Sequence, residues 1–371
     1  MGSSVLKTIK WIIPIAIYVL GLGSLIFLDL VTILVLPRYG LGVHIAYDVY
    51  VENNRAYIAD NKGVTIMDID NPTQPEKIGG LYTSDGAFSV IIENDIAYVA
   101  SDSNGFIIAN MSDPSNVRVI GEYIDCKSAH GVCVNDSLAF ITSYSGGVTI
   151  LDISNLASPF KIGSYSDGGL ASPITVYGYL LCYGDLTSGL KVLNLTDPTS
   201  PQKLLTIPSI RGVNDIFIYD ELMFLSCHGS GVQIINLSTQ VPTFIGSYSK
   251  TGGEAYGVTG NTTHLYVADL QLGTYLLDIT TPSQPIEVAA YSNACSHDIF
   301  FDGSQVYLAD QDKYLIILDQ YLDPLFSGFP LDITLQIVLI GLTLVYGAIL
   351  PVMLYRKRKK REKTIPDIEI S

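Results

Sequence analysis

Residues 47–84 read YDVYVENNRAYIADNKGVTIMDIDNPTQPEKIGGLYTS. Four short runs rich in Val, Ile and Tyr are separated by Asn, Asp, Gly and Pro, the pattern of short strands joined by turns. The third run opens at Gly63 and recurs at Gly105, Gly147, Gly189, Gly231 and Gly273, each time 42 residues on. The copies read GVTIMDI, GFIIANM, GVTILDI, GLKVLNL, GVQIINL and GTYLLDI, and a seventh, YLIILDQ, starts at Tyr314 after a spacing of 41. A fixed period of this length marks a repeat architecture.

The third run is apolar on both faces, as at Val64, Ile66, Met67 and Ile69, which is expected of a strand covered on both sides. Pro72, Pro114, Pro198 and Pro282 fall nine residues after their glycines. A central strand would lose a ladder bond there, so each proline ends the run in a turn. These prolines, the glycines and the β-branched runs exclude a helical repeat. Four strands per repeat, arranged radially, make a propeller blade. The fold class is therefore all-β: a seven-bladed β-propeller of about 42-residue four-stranded repeats, flanked by N- and C-terminal transmembrane helices. The last copy runs into LDPLFSGFPL with no evident fourth strand. Counting back in register puts residues 36–41, LPRYGL, in that place, and they are predicted to close the ring.

The expected transmembrane helices rest on two apolar segments. Residues 11–36 carry one charge, Asp29, and residues 333–355 carry none; either is long enough to cross a bilayer. Lys7 and Lys10 precede the first, and the RKRKKR run from Arg356 follows the second. Basic flanks stay cytoplasmic. The organisation predicted is a cytoplasmic N-terminus over 1–10, a signal anchor over 11–36, an extracytoplasmic propeller over 37–330, a second span over 331–355 and a basic cytoplasmic tail over 356–371. The protein is thus expected in the cell membrane, held in lipid by two helices, with the propeller outside. The first segment shows no small-x-small cleavage site, which favours an anchor over a cleaved signal peptide.

The chain of 371 residues has a formal charge of −15, and residues 37–330 hold 12 basic against 31 acidic side chains. Nucleic acid is excluded as a partner on that balance. Cys126, Cys133, Cys182, Cys227 and Cys295 sit at unrelated repeat positions, with no CxxC or Cys/His spacing for zinc. They read as small buried hydrophobes, with one thiol at least left over from any pairing.

The repeats resemble the LVIVD-repeat proteins, a prokaryotic cell-surface propeller family. The likeness lies in AYIAD (56–60), YVADL (266–270), VYLAD (306–310), GVTILDIS (147–154) and the proline-bearing DNPTQP (70–75). It covers nearly all of 37–320 and weakens in the fourth repeat, where YLLCYGD stands in place of an AYIAD-type run. The resemblance implies a propeller at the cell surface and attaches no common reaction to it.

Aligning the repeats brings Tyr47-Asp48, Phe88-Ser89, His130-Gly131, Ser172-Pro173, Asn214-Asp215, Tyr256-Gly257 and His297-Asp298 to the starts of the inner strands. There they would ring one mouth of the central channel, a polar and aromatic concavity on a rigid scaffold. The candidate ligand-binding residues are Tyr47, Asp48, His130, Asn214, Asp215, Tyr256, His297 and Asp298. The loops between second and third strands add Asp60, Asp102, Tyr144, Asp185, His228, Asp269, Asp310 and Asp312 around them. If residues 36–41 are a fourth strand, both ends leave by the opposite face, and the mouth is membrane-distal. The function expected is recognition of an extracellular protein, glycan or small ligand through that face. No catalytic residue and no metal site is assigned, and no cofactor is expected; the carboxylates admit Ca²⁺ as the one alternative. A metal-dependent extracytoplasmic hydrolase in the channel and a structural surface-layer protein are the competing readings. Sequons at Asn110, Asn135, Asn194, Asn236 and Asn261 are candidate glycosylation sites. For each of them the competing reading is a repeat-encoded Asn/Asp turn.

Overall fold

The structure, a computed structural model, describes residues 45–326 apart from 145 and 240. The two apolar end segments and residues 36–41 lie outside the described residues. Among the described residues no helix is long and apolar enough to cross a membrane.

The described strands form seven antiparallel sheets of four consecutive strands each. Blade 1 consists of Ala46–Glu52, Arg55–Asp60, Gly63–Asp68 and Glu76–Tyr82, from the channel outward, and the other blades repeat it. Neighbouring blades pack face to face around the ring, and the inner strand of blade 7, Ser296–Phe301, packs against that of blade 1. Each interface has its own apolar cluster. Tyr57, Val64 and Ile66 of blade 1 meet Val90, Ile92 and Val99 of blade 2, for example, and Tyr307 and Ile317 of blade 7 meet Ile58 and Met67 of blade 1. A blade covered on both sides needs apolar residues on both faces of its middle strands, which is the pattern the sequence carries. The hairpins between first and second strands turn on residues with positive φ, as at Asn53 and Asn54 (52° and 57°) and at Asn94 and Asp95 (52° and 62°). Such pairs match the strand twist.

The six marker glycines have φ between 67° and 131°. A Cβ at any of them would stand 2.1–2.4 Å from a carbonyl oxygen of the outer strand or its end, such as Leu81 O beside Gly63. The period is therefore a backbone requirement: left-handed conformation and close approach together admit only glycine.

Blade 7 departs from this and corrects the predicted closure. Its fourth strand is Pro324–Phe326, paired at Ile317↔Phe326 and Leu318↔Pro324, so residues 36–41 are not needed there. The chain reverses in a tight turn in which Asp319 Oδ1 accepts from Tyr321 N at 2.8 Å and Asp323 N at 2.9 Å, while Leu322 takes a φ of 70°. This turn lacks the DNPTQP form of blade 1, which is why it went unread in the sequence. The ring is closed by side chains of blade 7 reaching into blade 1. His297 Nδ1 donates to Ala46 O at 3.0 Å, Asp298 Oδ2 accepts from Val49 N at 3.1 Å, and the Tyr314 hydroxyl donates to Asp60 Oδ2 at 2.5 Å. The described chain begins at Ile45, at the mouth end of an inner strand, and Pro324–Phe326 runs back toward the same side. The inference that both ends leave by the face opposite the mouth loses its premise, and with it the assignment of the mouth as membrane-distal.

A second glycine has a fixed position, in the outer strands. Gly79, Gly121, Gly163 and Gly246 lie where a Cβ would fall 1.7–2.4 Å from a carbonyl oxygen in the turn of the next blade, those of Pro114, Leu156, Pro198 and Pro282. The proline turn of one blade thus rests directly on the backbone of the blade before it.

Candidate binding site

The inner strands bring most of the aligned aromatic residues together. Tyr47 and Phe88 stack with ring centroids 4.9 Å apart, Phe88 and His130 at 4.0 Å, and His130 and Tyr144 at 3.5 Å. On the other side Tyr47 meets His297 at 5.7 Å, His297 meets Tyr256 edge-on at 5.7 Å, and Tyr256 meets His228 at 4.9 Å. Seven rings from blades 1, 2, 3, 5, 6 and 7 therefore run as one contact chain across the mouth, all of them half-buried. Tyr144 of blade 3 also comes near enough to Tyr256 to help raise that phenol's pKa, after burial and the charge of Glu254. Blade 4 contributes Ser172 and Pro173 and leaves a gap in the chain of rings.

These rings are uncharged at neutral pH. Burial lowers His130 to about 4, and it lowers His228 and His297 as well. Burial raises the phenols of Tyr47, Tyr144 and Tyr256. An array of neutral, stacked rings offers flat apolar surface with polar tips, and no formal charge.

The three carboxylates of the predicted ring do something else. Each reaches to the inner strand of the next blade: Asp48 Oδ2 accepts from Val90 N at 2.8 Å, Asp215 Oδ2 from Val258 N at 2.8 Å, and Asp298 Oδ2 from Val49 N. They are clasps between blades. Asn214 is likewise withdrawn from the rings, its Nδ2 donating to Ala255 O of blade 6 at 3.1 Å. Where the same register holds glycine, the blades simply approach, and a Cβ on Gly131 would stand 2.2 Å from Ser172 O.

Several loop carboxylates also prove structural. Asp60, Asp185, Asp269 and Asp310 are buried at the ends of second strands and accept amide hydrogens of the turns that follow. Carboxylates engaged in this way hold a turn, and Asp185 keeps its second oxygen buried without a hydrogen-bond donor. Among the described residues no group of three or more His, Cys, Asp or Glu side chains could hold a metal ion.

At the sequons, the Asn110, Asn194 and Asn236 Oδ1 atoms accept from the amide and the hydroxyl two residues on. Asp152 and Asp278 make the same pair of bonds at the equivalent positions of blades 3 and 6. The repeat thus encodes this turn whether or not the residue is asparagine. Asn261 accepts from Thr263 and His264, and Asn135 is exposed at a hairpin. All five cysteines are free thiols.

What the sequence left out of the candidate binding residues at the mouth was Phe88, although alignment placed it at a strand start. Tyr144 and His228 were placed in the surrounding loops, and the structure stacks Tyr144 on His130 and sets His228 edge-on to Tyr256.

A family model described as LVIVD repeat matches residues 45–83, 86–125, 127–167, 252–293 and 295–319. The unmatched interval contains blades 4 and 5, which nonetheless keep four strands each. No curated protein matches the chain. Among solved structures, a computationally designed protein, Ika8, is 8% identical with a TM-score of 0.60, over 78% of this chain and 88% of its own. PorZ, a bacterial surface component of the type-IX secretion system of Porphyromonas gingivalis, is 14% identical with a TM-score of 0.56, over 78% of this chain. The extracellular domain of the putative one-component system BT4673 from B. thetaiotaomicron is 13% identical with a TM-score of 0.59, over 80% of this chain. The match covers 39% of the PorZ chain and 43% of the BT4673 chain. At such identities the likeness is one of fold.

Proposed function

The chain belongs to the LVIVD repeat family, and on that footing we propose that it is a binding scaffold whose working surface is the aromatic mouth of the channel. The observation that carries this is the stack Tyr47–Phe88–His130–Tyr144. Four half-exposed rings from three blades, uncharged and gathered at one mouth, are more aromatic surface than a solvated strand entrance needs. They suit a ligand with a flat, weakly polar face, and a sugar ring of a surface glycan has that shape. The apolar segments 11–36 and 331–355, with their basic flanks, would anchor the scaffold in the cell membrane with both termini inside. Placed outside the cell, the five sequons would then be open to glycosylation, Asn135 most readily because it is exposed.

Tyr144→Ala tests the reading, because it removes one end of the stack and leaves the blade clasps alone. Full-length native protein and variant are compared for retention on immobilised cell-surface glycans. Retention of the native protein and its loss in the variant are expected. Equal retention by both, or none by either, overturns the proposal.

A further inference from the structure

Of the three imidazoles at the mouth, His297 alone has a ring nitrogen committed among the described residues. Its Nδ1 lies 3.0 Å from Ala46 O. A carbonyl oxygen only accepts, so Nδ1 carries a proton. Burial lowers the pKa of the ring, which is neutral at pH 7 and therefore has no second proton. Nε2 is then a bare lone pair, an acceptor and nothing else. No described residue donates to it, and it is not enclosed. His130 and His228 make no hydrogen bond through their rings among the described residues, so nothing there sets their tautomers.

The chain around residue 297 holds this lone pair in one place. Ser296 Oγ donates to Asp310 Oδ2 at 2.9 Å, and Asp298 Oδ2 accepts from Val49 N at 3.1 Å. Ala46, which receives the His297 bond, is fully buried. Three successive side chains are thus tied down, one within blade 7 and two to blade 1. The imidazole sits between the rings of Tyr47 and Tyr256, at 5.7 Å from each. Their hydroxyls make no hydrogen bond among the described residues and are not enclosed. A phenol O–H rotates to donate or accept as a ligand requires, whereas the imidazole offers one fixed role. An acceptor already in position loses no further freedom when a donor meets it.

Provided the mouth is the binding surface proposed above, we infer that His297 Nε2 sets its specificity by accepting a hydrogen bond from a ligand hydroxyl, so that the ligand class is a saccharide with free hydroxyls. Stacking alone would take any flat face. The lone pair takes only one that brings a donor, because a ligand offering acceptors alone would leave two lone pairs facing each other. A hydroxyl also suits the neighbours: one oxygen donates to Nε2 and accepts from the Tyr47 or Tyr256 O–H, which an amide N–H cannot do.

The test uses the full-length chain in detergent micelles, on immobilised cell-surface glycans and on the same glycans after O-methylation. O-methylation keeps the flat sugar rings and removes the donors. The native protein should be held by the untreated glycans and released from the methylated ones. In His297→Asn the amide nitrogen replaces Nδ1 toward Ala46 O, and the acceptor at the Nε2 position is gone. That variant should melt like the native protein and lose retention about tenfold. Equal retention of the native protein on both supports, or retention of His297→Asn at the native level, overturns the inference and leaves the stacking surface standing. No retention of the native protein on either support overturns both. Imidazole nitrogen shifts of the native protein labelled with 15N-histidine give a readout that needs neither ligand nor folded variant in quantity. At neutral pH His297 should show a protonated Nδ1 and a bare Nε2, and the opposite tautomer overturns the inference by itself.

Discussion

Tyr314 is the one place where the marker glycine is missing, and replacing it separates two accounts of the repeat. Its φ is 69°, left-handed and strained for a tyrosine, yet its ring is only 5% exposed. Restoring the glycine of the other six blades would relieve backbone strain of about 1–2 kcal/mol. Against that gain stand two losses. The hydroxyl donates to Asp60, a fully buried carboxylate that also accepts from Lys62 N and Thr65 Oγ1; a bond to a charged group contributes about 1.5–3 kcal/mol. Deleting a buried aromatic side chain costs roughly 3–5 kcal/mol more. The losses win, and Tyr314→Gly should destabilise by about 3–5 kcal/mol although it perfects the sequence pattern. Tyr314→Phe keeps the ring and the strain and should cost only the bond, about 2 kcal/mol, or roughly 4–6 °C in melting temperature for a propeller of this size. Calorimetry on both variants, with Asp60→Asn to complete a double-mutant cycle, measures these terms. A Tyr314→Phe protein melting within about 1 °C of the native one, or a Tyr314→Gly protein melting higher, would show that the ring is not held at this contact.

Gly163→Ala should lose about 1–3 kcal/mol, because its Cβ would stand 2.2 Å from Pro198 O and the rims of blades 3 and 4 must part to admit it. Gly229→Ala meets nothing closer than 3.8 Å and serves as the control; similar melting of the two would remove the turn-on-strand contact as a determinant of blade spacing. Lys191, 3% exposed in the third strand of blade 4, pairs with Asp167 of the loop from blade 3 and lies 4.0 Å from Asp185 Oδ2. Lys191→Met leaves that buried oxygen facing no cation, so a loss of about 3 kcal/mol is expected. A coupling to Asp167→Asn below about 0.5 kcal/mol in thermal melts would mean that the pair does not act as one.

The architecture was legible because its cause is local and repeated. A left-handed residue under an outer-strand carbonyl must be glycine, so six blades write the same letter at the same interval. The aromatic mouth was legible for a related reason. Equivalent positions of a radial repeat converge on one axis, and alignment alone therefore brought Tyr47, His130, Tyr256 and His297 together. The carboxylates show where that logic stops. Alignment places Asp48, Asp215 and Asp298 at the channel, but a side chain at a strand entrance can face the lumen or the amide of the next blade. The choice depends on inter-blade distances that no single repeat encodes.

Ring closure was misread because the turn before the fourth strand of blade 7 lacks the proline form of the other repeats, so that strand, Pro324–Phe326, was not recognised. In six blades the marker position lies under a carbonyl of the outer strand and holds glycine. Among the described residues the outer strand of blade 7, Pro324–Phe326, pairs with Ile317 and Leu318, and tyrosine stands at the marker position, 314. From there Tyr314 crosses to Asp60. The single break in the period thus marks the side chain that ties blade 7 to blade 1.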